Sequence, residues 1–211
     1  MSDSPTTMVE RTETPRITAG VERTAEGLFA PSHGSASLPP VLDACCGSRM
    51  FWFDRKDSRA VFVDKRRETH ALPDVSSAGG SRTLEINPDI VADFTSLPFP
   101  DNSFAVVIFD PPHFGRNGKN GWMAKKYGTL EGDWREMLRK GFAECFRVLK
   151  PEGTLIFKWN EDEVAVNEIM ALTPERPLVG NRYGKHYKSH WLVYLKPNDP
   201  SSATRLGEGQ K

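Results

Sequence analysis

The run Val106-Val107-Ile108-Phe109 stops at Asp110-Pro111-Pro112-His113-Phe114. Two consecutive prolines remove two backbone donors and hold two φ angles, so neither helix nor ladder continues through them and their carbonyls point outward. Beside the Asp110 carboxylate they form a stiff group of hydrogen-bond acceptors. Asp-Pro is also an ordinary turn initiator, so the peptide alone leaves a plain turn open.

The elements that must position this group are short apolar strands. Residues 106–109 read as a fully buried strand of a parallel sheet, which places Asp110 at its carboxyl end, where ligands of open α/β sheets bind. Three more apolar segments end in an acid. Pro40 to Asp43 runs into the small residues Ala44, Cys45, Cys46 and Gly47, a turn against which a ligand can press closely. Arg59 to Asp64 follows about twenty residues later, the spacing a βαβ unit needs. Ile86 to Phe94 carries Asp93. The strict G-x-G-x-x-G spacing is absent, which argues against a nicotinamide enzyme.

Together these segments resemble the class I S-adenosylmethionine-dependent methyltransferases. The Asp-Pro-Pro-His-Phe peptide is similar to the Asp/Asn-Pro-Pro-aromatic signature of those that modify exocyclic amino groups of nucleic-acid bases, in the short solo form known from phages. The resemblance covers about Leu38 to Lys196. It implies S-adenosylmethionine as cofactor and DNA or RNA as substrate. It also implies donor contacts at Asp43, Cys45, Gly47, Asp64, Asp93, Phe94 and Asp110, with Asp64 on the ribose and Asp93-Phe94 at the adenine. Pro111, Pro112, His113 and Phe114 join Asp110 in the catalytic set. Two departures stand out: Ser48 and Arg49 occupy positions where many relatives have glycine, and His113 replaces the usual stacking aromatic. His113 stacks, acts as a base, or is structural; the residues leave all three open.

After Phe114 a long segment, Gly115 to Gly132, mixes Arg116, Lys119, Lys125 and Lys126 with Trp122 and Tyr127. Such a loop suits phosphates and splayed bases, or is a solvated connection. A second one, Gly180 to Lys188, adds Lys185 and Lys188. Between them, apolar residues at steps of three and four predict a helix from Trp134 to Leu149 capped by Asp133. A fifth strand is expected over Thr154 to Trp159, a short helix over Glu163 to Leu172, and two closing strands over Arg176 to Val179 and His190 to Leu195. The aromatic run Met50 to Phe53 is read as core rather than donor pocket.

The fold class is therefore α/β: a Rossmann-like, seven-stranded, mostly parallel sheet with a C-terminal antiparallel hairpin and helices on both faces. With 211 residues, one domain over residues 38–197 is expected, flanked by a disordered arm (1–37) and tail (198–211). Equal counts of 28 basic and 28 acidic residues mean that nucleic-acid binding must come from local clusters. The sequence has no apolar run of about eighteen residues and no signal-like segment, so neither a membrane nor secretion is expected, and the chain is read as cytoplasmic. The three cysteines, two adjacent, form neither a disulfide framework nor a metal knuckle, and no metal is expected. Assembly with itself or another chain is left open. So are two other activities: methylation of a small molecule or protein amine, and donor binding without catalysis.

Overall fold

The computed structural model describes residues 37–74, 79–115, 122–130, 132–181 and 188–198. Apart from Ser37 and Asn198, the arm and tail expected at the two ends lie outside these residues, as do Arg116, Lys119 and Lys185.

The chain builds β1 (Val41–Asp43), β2 (Ala60–Asp64), β3 (Glu68–Pro73), β4 (Ser81–Ile86), β5 (Ile90–Val91) and β6 (Phe104–Phe109). These are followed by α1 (Trp122–Tyr127), α2 (Trp134–Val148), β7 (Leu149–Asn160), α3 (Val166–Met170), β8 (Val179–Gly180) and β9 (Ser189–Leu195). Seven strands form one sheet in the order β5-β2-β1-β6-β7-β9-β8. The β1–β2, β1–β6, β2–β5 and β6–β7 pairs are parallel, whereas β9 runs against both β7 and β8. This is the Rossmann-like sheet expected from the sequence, with its antiparallel C-terminal pair. Because the order reverses at β1, the carboxyl ends of β1 and β6 open a crevice between crossovers that leave in opposite directions.

Three connections differ from the sequence reading, one of them the segment after Phe114, where Trp122–Tyr127 form α1 within the expected loop. No strand is expected over residues 65–74 or 79–85, yet β3 and β4 pair there as a separate antiparallel hairpin, from Glu68↔Ile86 to Pro73↔Ser81. Ile86 thus belongs to the hairpin, and only Ile90 and Val91 of the expected third strand join the main sheet. The connection from β1 to β2 contains no helix at all and proceeds by turns. Asp43 at its start and Asp54 and Asp57 within it accept hydrogen bonds from N–H groups two residues on, a local bonding pattern that competes with helix.

The helix most clearly signalled by sequence, α2, forms as expected. Asp133 accepts from the Glu136 N–H at 3.1 Å, and Leu138, Gly141, Phe142, Cys145 and Val148 are buried on one face. That face packs on Phe109 and Phe157, which alternate inward along β6 and β7. The opposite set, Val106, Ile108 and Ile156, is only half buried, so β6 is covered fully on one face rather than two. Gly141 lets the helix approach the sheet: a Cβ there would sit 2.8 Å from the rings of both Phe109 and Phe94. Gly141→Ala gains about 1 kcal/mol of helix propensity. The clash with two rings that are almost wholly buried costs about 1–3 kcal/mol, so the variant is expected to lose stability on balance. Urea midpoints read this directly.

Arg147 closes the other end of α2. It donates to the Leu97 and Phe99 carbonyls and to Glu144 and Asp101, holding residues 97–101 against the helix. Phe94, just before this anchored segment, packs edge-on against Phe109 at 5.2 Å.

Candidate functional site

At the carboxyl ends of β1, β2, β6 and β7 lies a cavity of about 470 Å³. The β1 turn forms one wall. Gly47 has φ +50°, in the left-handed region, and its N–H donates to Asp64 Oδ2 at 2.9 Å. Asp64 Oδ1 accepts from the backbone N–H and the Nε of Arg66, whose guanidinium reaches on to the Lys125 carbonyl at 3.1 Å. A carboxylate has about four acceptor positions, and three of these are taken. One position, on Oδ2, remains for a ligand among the described residues.

The other acids at strand ends divide sharply. Asp43 has no exposed surface and does not line the cavity; its Oδ2 accepts from Trp52 Nε1 at 2.7 Å and its Oδ1 from the Cys45 N–H. It braces the turn from behind. Asp93 faces solvent and caps its own turn through the Thr95 N–H and hydroxyl, leaving only Phe94 in the cavity wall. The aromatic run expected in the core is also displaced: Met50 and Phe51 line the cavity, and Phe53 is fully exposed. No helix forms there to turn these side chains inward. Trp52 alone packs inward, edge-on to Phe62 at 4.8 Å.

Burial pushes Asp43 up to about 7, against the Trp52 and Cys45 hydrogen bonds that favour the ionised form. The unfolded carboxyl titrates at about 3.9, so between about pH 4 and pH 7 the native state holds more protons. The stability this gives is complete below that window and is lost as pH rises through about 7. Asp43→Asn keeps an acceptor for Trp52 and never ionises. Its stability relative to the parent protein is therefore expected to rise between about pH 5 and pH 7.5. A difference in urea midpoint that stays constant over that range would contradict this.

The central group is compact. Asp110 Oδ2 accepts from Lys158 Nζ at 2.7 Å, while Asp110 Oδ1 is buried with no hydrogen-bond partner among the described residues. Lys158 extends from β7, whose residues Ile156 and Phe157 pair with Ile108 and Phe109, so the parallel register brings Lys158 beside Asp110. It is the main residue the sequence reading missed. The available signal was a lone cation, between Phe157 and Trp159, in an otherwise apolar run.

His113 is buried among Phe114, Tyr127 and Trp159, with ring centroids 4.3, 5.8 and 5.9 Å away. Its Nδ1 lies 3.3 Å from the Pro111 carbonyl. Burial lowers its pKa from the usual histidine value, which favours the neutral ring. With the proton on Nδ1 it donates to Pro111 and leaves Nε2 as an acceptor. Over this cluster lies α1, whose Lys126 and Tyr127 line the cavity while Lys125 offers only its carbonyl to Arg66. Gly128, at φ +75°, closes α1 against Pro112: a Cβ there would be 3.0 Å from Pro112 Cγ. Lys188 does not line the cavity itself but is ion-paired with Asp162, which does.

Cys45 and Cys46 also line the cavity; burial raises both thiols, which disfavours the reactive thiolate. Cys145 is buried in the core, and all three are unpaired. Among the described residues there is no group of three or more potential metal ligands, and no helix is long and apolar enough to cross a membrane.

No protein-family model matches the chain, and no curated protein is significantly similar to it. Solved structures resemble it more distantly. The PH0226 protein of Pyrococcus horikoshii is 20% identical, with a TM-score of 0.44 over 74% of this chain and 81% of that one. A TehB-like SAM-dependent methyltransferase from Corynebacterium glutamicum is 13% identical, with a TM-score of 0.46 over 82% and 85%. The N-methyltransferase NodS of Bradyrhizobium japonicum is 13% identical, with a TM-score of 0.45 over 82% and 94%.

Proposed function

We propose that this chain is an S-adenosylmethionine-dependent methyltransferase acting on an exocyclic amino group of adenine or cytosine in DNA or RNA. The observation that carries the reading is the Asp110 carboxylate: one oxygen is held by Lys158, the other is buried with no partner among the described residues, and Asp110 lines a cavity together with Gly47, Asp64 and Phe94.

The residues present fit the donor. Asp64 keeps one acceptor position for a ribose hydroxyl, Phe94 supplies an apolar wall, and the Gly47 turn admits close approach of a ligand to the backbone. When bound, S-adenosylmethionine supplies a methyl group already activated on sulfur. The chain's own task is alignment and charge stabilisation. A base amino group is a poor nucleophile because its lone pair is delocalised into the ring. Asp110 Oδ1 accepts one of its N–H bonds and the second lone pair of the Pro111 carbonyl accepts the other, so the nitrogen lone pair turns toward the donor. As the N–C bond forms and the methyl's C–S bond breaks, with S-adenosylhomocysteine as the leaving group, positive charge would grow on nitrogen beside the Asp110 carboxylate. The nitrogen proton then leaves to Asp110 Oδ1 or to solvent.

His113 is placed to orient the Pro111 carbonyl, and Tyr127, which is less buried, is the better wall for a base. The ion pair that occupies Asp110 Oδ2 favours a second reading, a donor-binding subunit without turnover. Transfer of labelled methyl from S-adenosylmethionine to single-stranded DNA, duplex DNA and RNA pools, followed by nucleoside digestion, decides between them. Labelled methyladenosine or methylcytidine is expected. Donor binding with no label in any pool would overturn the nucleic-acid assignment.

A further inference from the structure

We infer that a basic hollow beside the donor cavity binds the phosphodiester backbone of a single strand of nucleic acid; this rests on the proposed function and names how its substrate is held. The hollow measures about 460 Å³ and lies between the β1–β2 connection and β4 of the inserted hairpin. Gly47, Ser48, Met50 and Lys126 belong to both cavities, so a chain seated in one leads directly into the other.

Its charge is one-sided. Arg49, Arg55, Lys56, Arg82 and Lys126 line it against a single acid, Glu85, although the chain as a whole has no net charge. Arg49 is the brace: it bonds the Arg55 and Asn87 carbonyls and pairs with Asp89, holding the connection open against the hairpin. Arg55 and Lys56 are exposed. Arg82 is half exposed, with Asp74 at 4.0 Å, beyond direct hydrogen-bond distance. The nearby acids are engaged locally, Asp54 with the Lys56 N–H and Asp57 with Arg59.

A second feature points to the same ligand. Phe53, two residues before Arg55, is fully exposed. Exposed aromatics near a basic track stack unpaired bases while cations follow the phosphates, and Phe53 neighbours Arg55 in sequence although it does not itself line the hollow. An amino group inside a duplex must leave the stack before Asp110 can reach it, so an unpaired strand meets both requirements at once.

Fluorescence anisotropy of labelled single strands of about 20 nucleotides, DNA and RNA, between about 50 and 200 mM salt tests this. The variant Arg55→Gln/Lys56→Gln/Arg82→Gln is expected to bind at least about tenfold more weakly, and its salt slope to fall by about two, three phosphate contacts at ~0.7 each. Phe53→Ala is expected to lose about fivefold or more in affinity with the slope unchanged. A charge-matched control on α2, Arg135→Gln/Arg139→Gln/Lys140→Gln, is expected to bind as the parent does, and S-adenosylmethionine binding reports that each variant is folded.

Equal affinity and slope in the parent and the groove variant overturn the inference, as does an equal loss in the control or absence of strand binding by the parent. The groove and the function fail separately. Methylation of an oligonucleotide that is indifferent to the groove variant removes the groove and leaves the function. Strand binding that is lost in the variant, with no methyl transfer by the parent, removes the function and leaves the groove.

Discussion

Asp110→Ala is expected to slow methyl transfer by about a hundred- to a thousandfold, the scale for removing one preorganised group from the site of developing charge. Two effects act together. The amino nitrogen loses the acceptor that orients its lone pair, and Lys158, 2.7 Å from the carboxylate in the intact protein, is left as the nearest charge to a nitrogen that is becoming positive. Asp110→Asn is expected to be nearly as slow, for a geometric reason. Lys158 is a donor only, so the amide oxygen must take the Oδ2 position and the amide nitrogen the Oδ1 position. The variant would then present an N–H to the substrate's N–H. Single-turnover rates with labelled donor measure the loss, and the donor dissociation constant is expected to shift by less than the rate because Gly47, Asp64 and Phe94 remain. An Asp110→Asn protein as fast as the parent would show that Oδ1 accepts no substrate hydrogen bond.

The strand frame was legible because its signals are local. Val106 to Phe109, Val61 to Val63 and Leu192 to Leu195 are apolar runs with turn formers at their ends, and α2 carries both a cap and a helical stripe. The β3–β4 hairpin was not. Glu68 to Pro73 and Ser81 to Glu85 carry charge, histidine and proline rather than an apolar run, so no strand pair is expected there; cross-strand pairing, a non-local quantity, makes it one. Strand-end acids illustrate the same limit at the site. Sequence places Asp43, Asp64 and Asp93 at equivalent points, yet only Asp64 reaches the cavity. Which way each turns depends on what is packed behind it: Trp52 draws Asp43 inward, and Thr95 satisfies Asp93 at the surface. Lys158 was hidden for a related reason, since its meaning lies in the β6–β7 register that sets it against Asp110.

That register leads to the second large effect. Lys158→Met is expected to lower the transfer rate about ten- to a hundredfold and to cost about 1–3 kcal/mol of stability, less than the 3–5 expected for a fully buried pair because both side chains keep some exposure. Its ammonium does two things: it balances the Asp110 charge, and it occupies Oδ2 so that Oδ1 is the oxygen that faces an incoming N–H. A merely structural lysine would change stability alone. A positioning lysine also slows transfer in the folded variant while the donor dissociation constant changes little. It also couples to Asp110. With Lys158→Met in place, the amide introduced by Asp110→Asn is free to flip and offer its oxygen to the substrate. The double variant is therefore expected to be faster than Asp110→Asn alone, a reversal of sign that independent effects do not produce. Multiplying losses, with the double variant slowest of all, would leave Lys158 as a support for the sheet edge and return the orientation of Asp110 to the Pro111-Pro112 backbone.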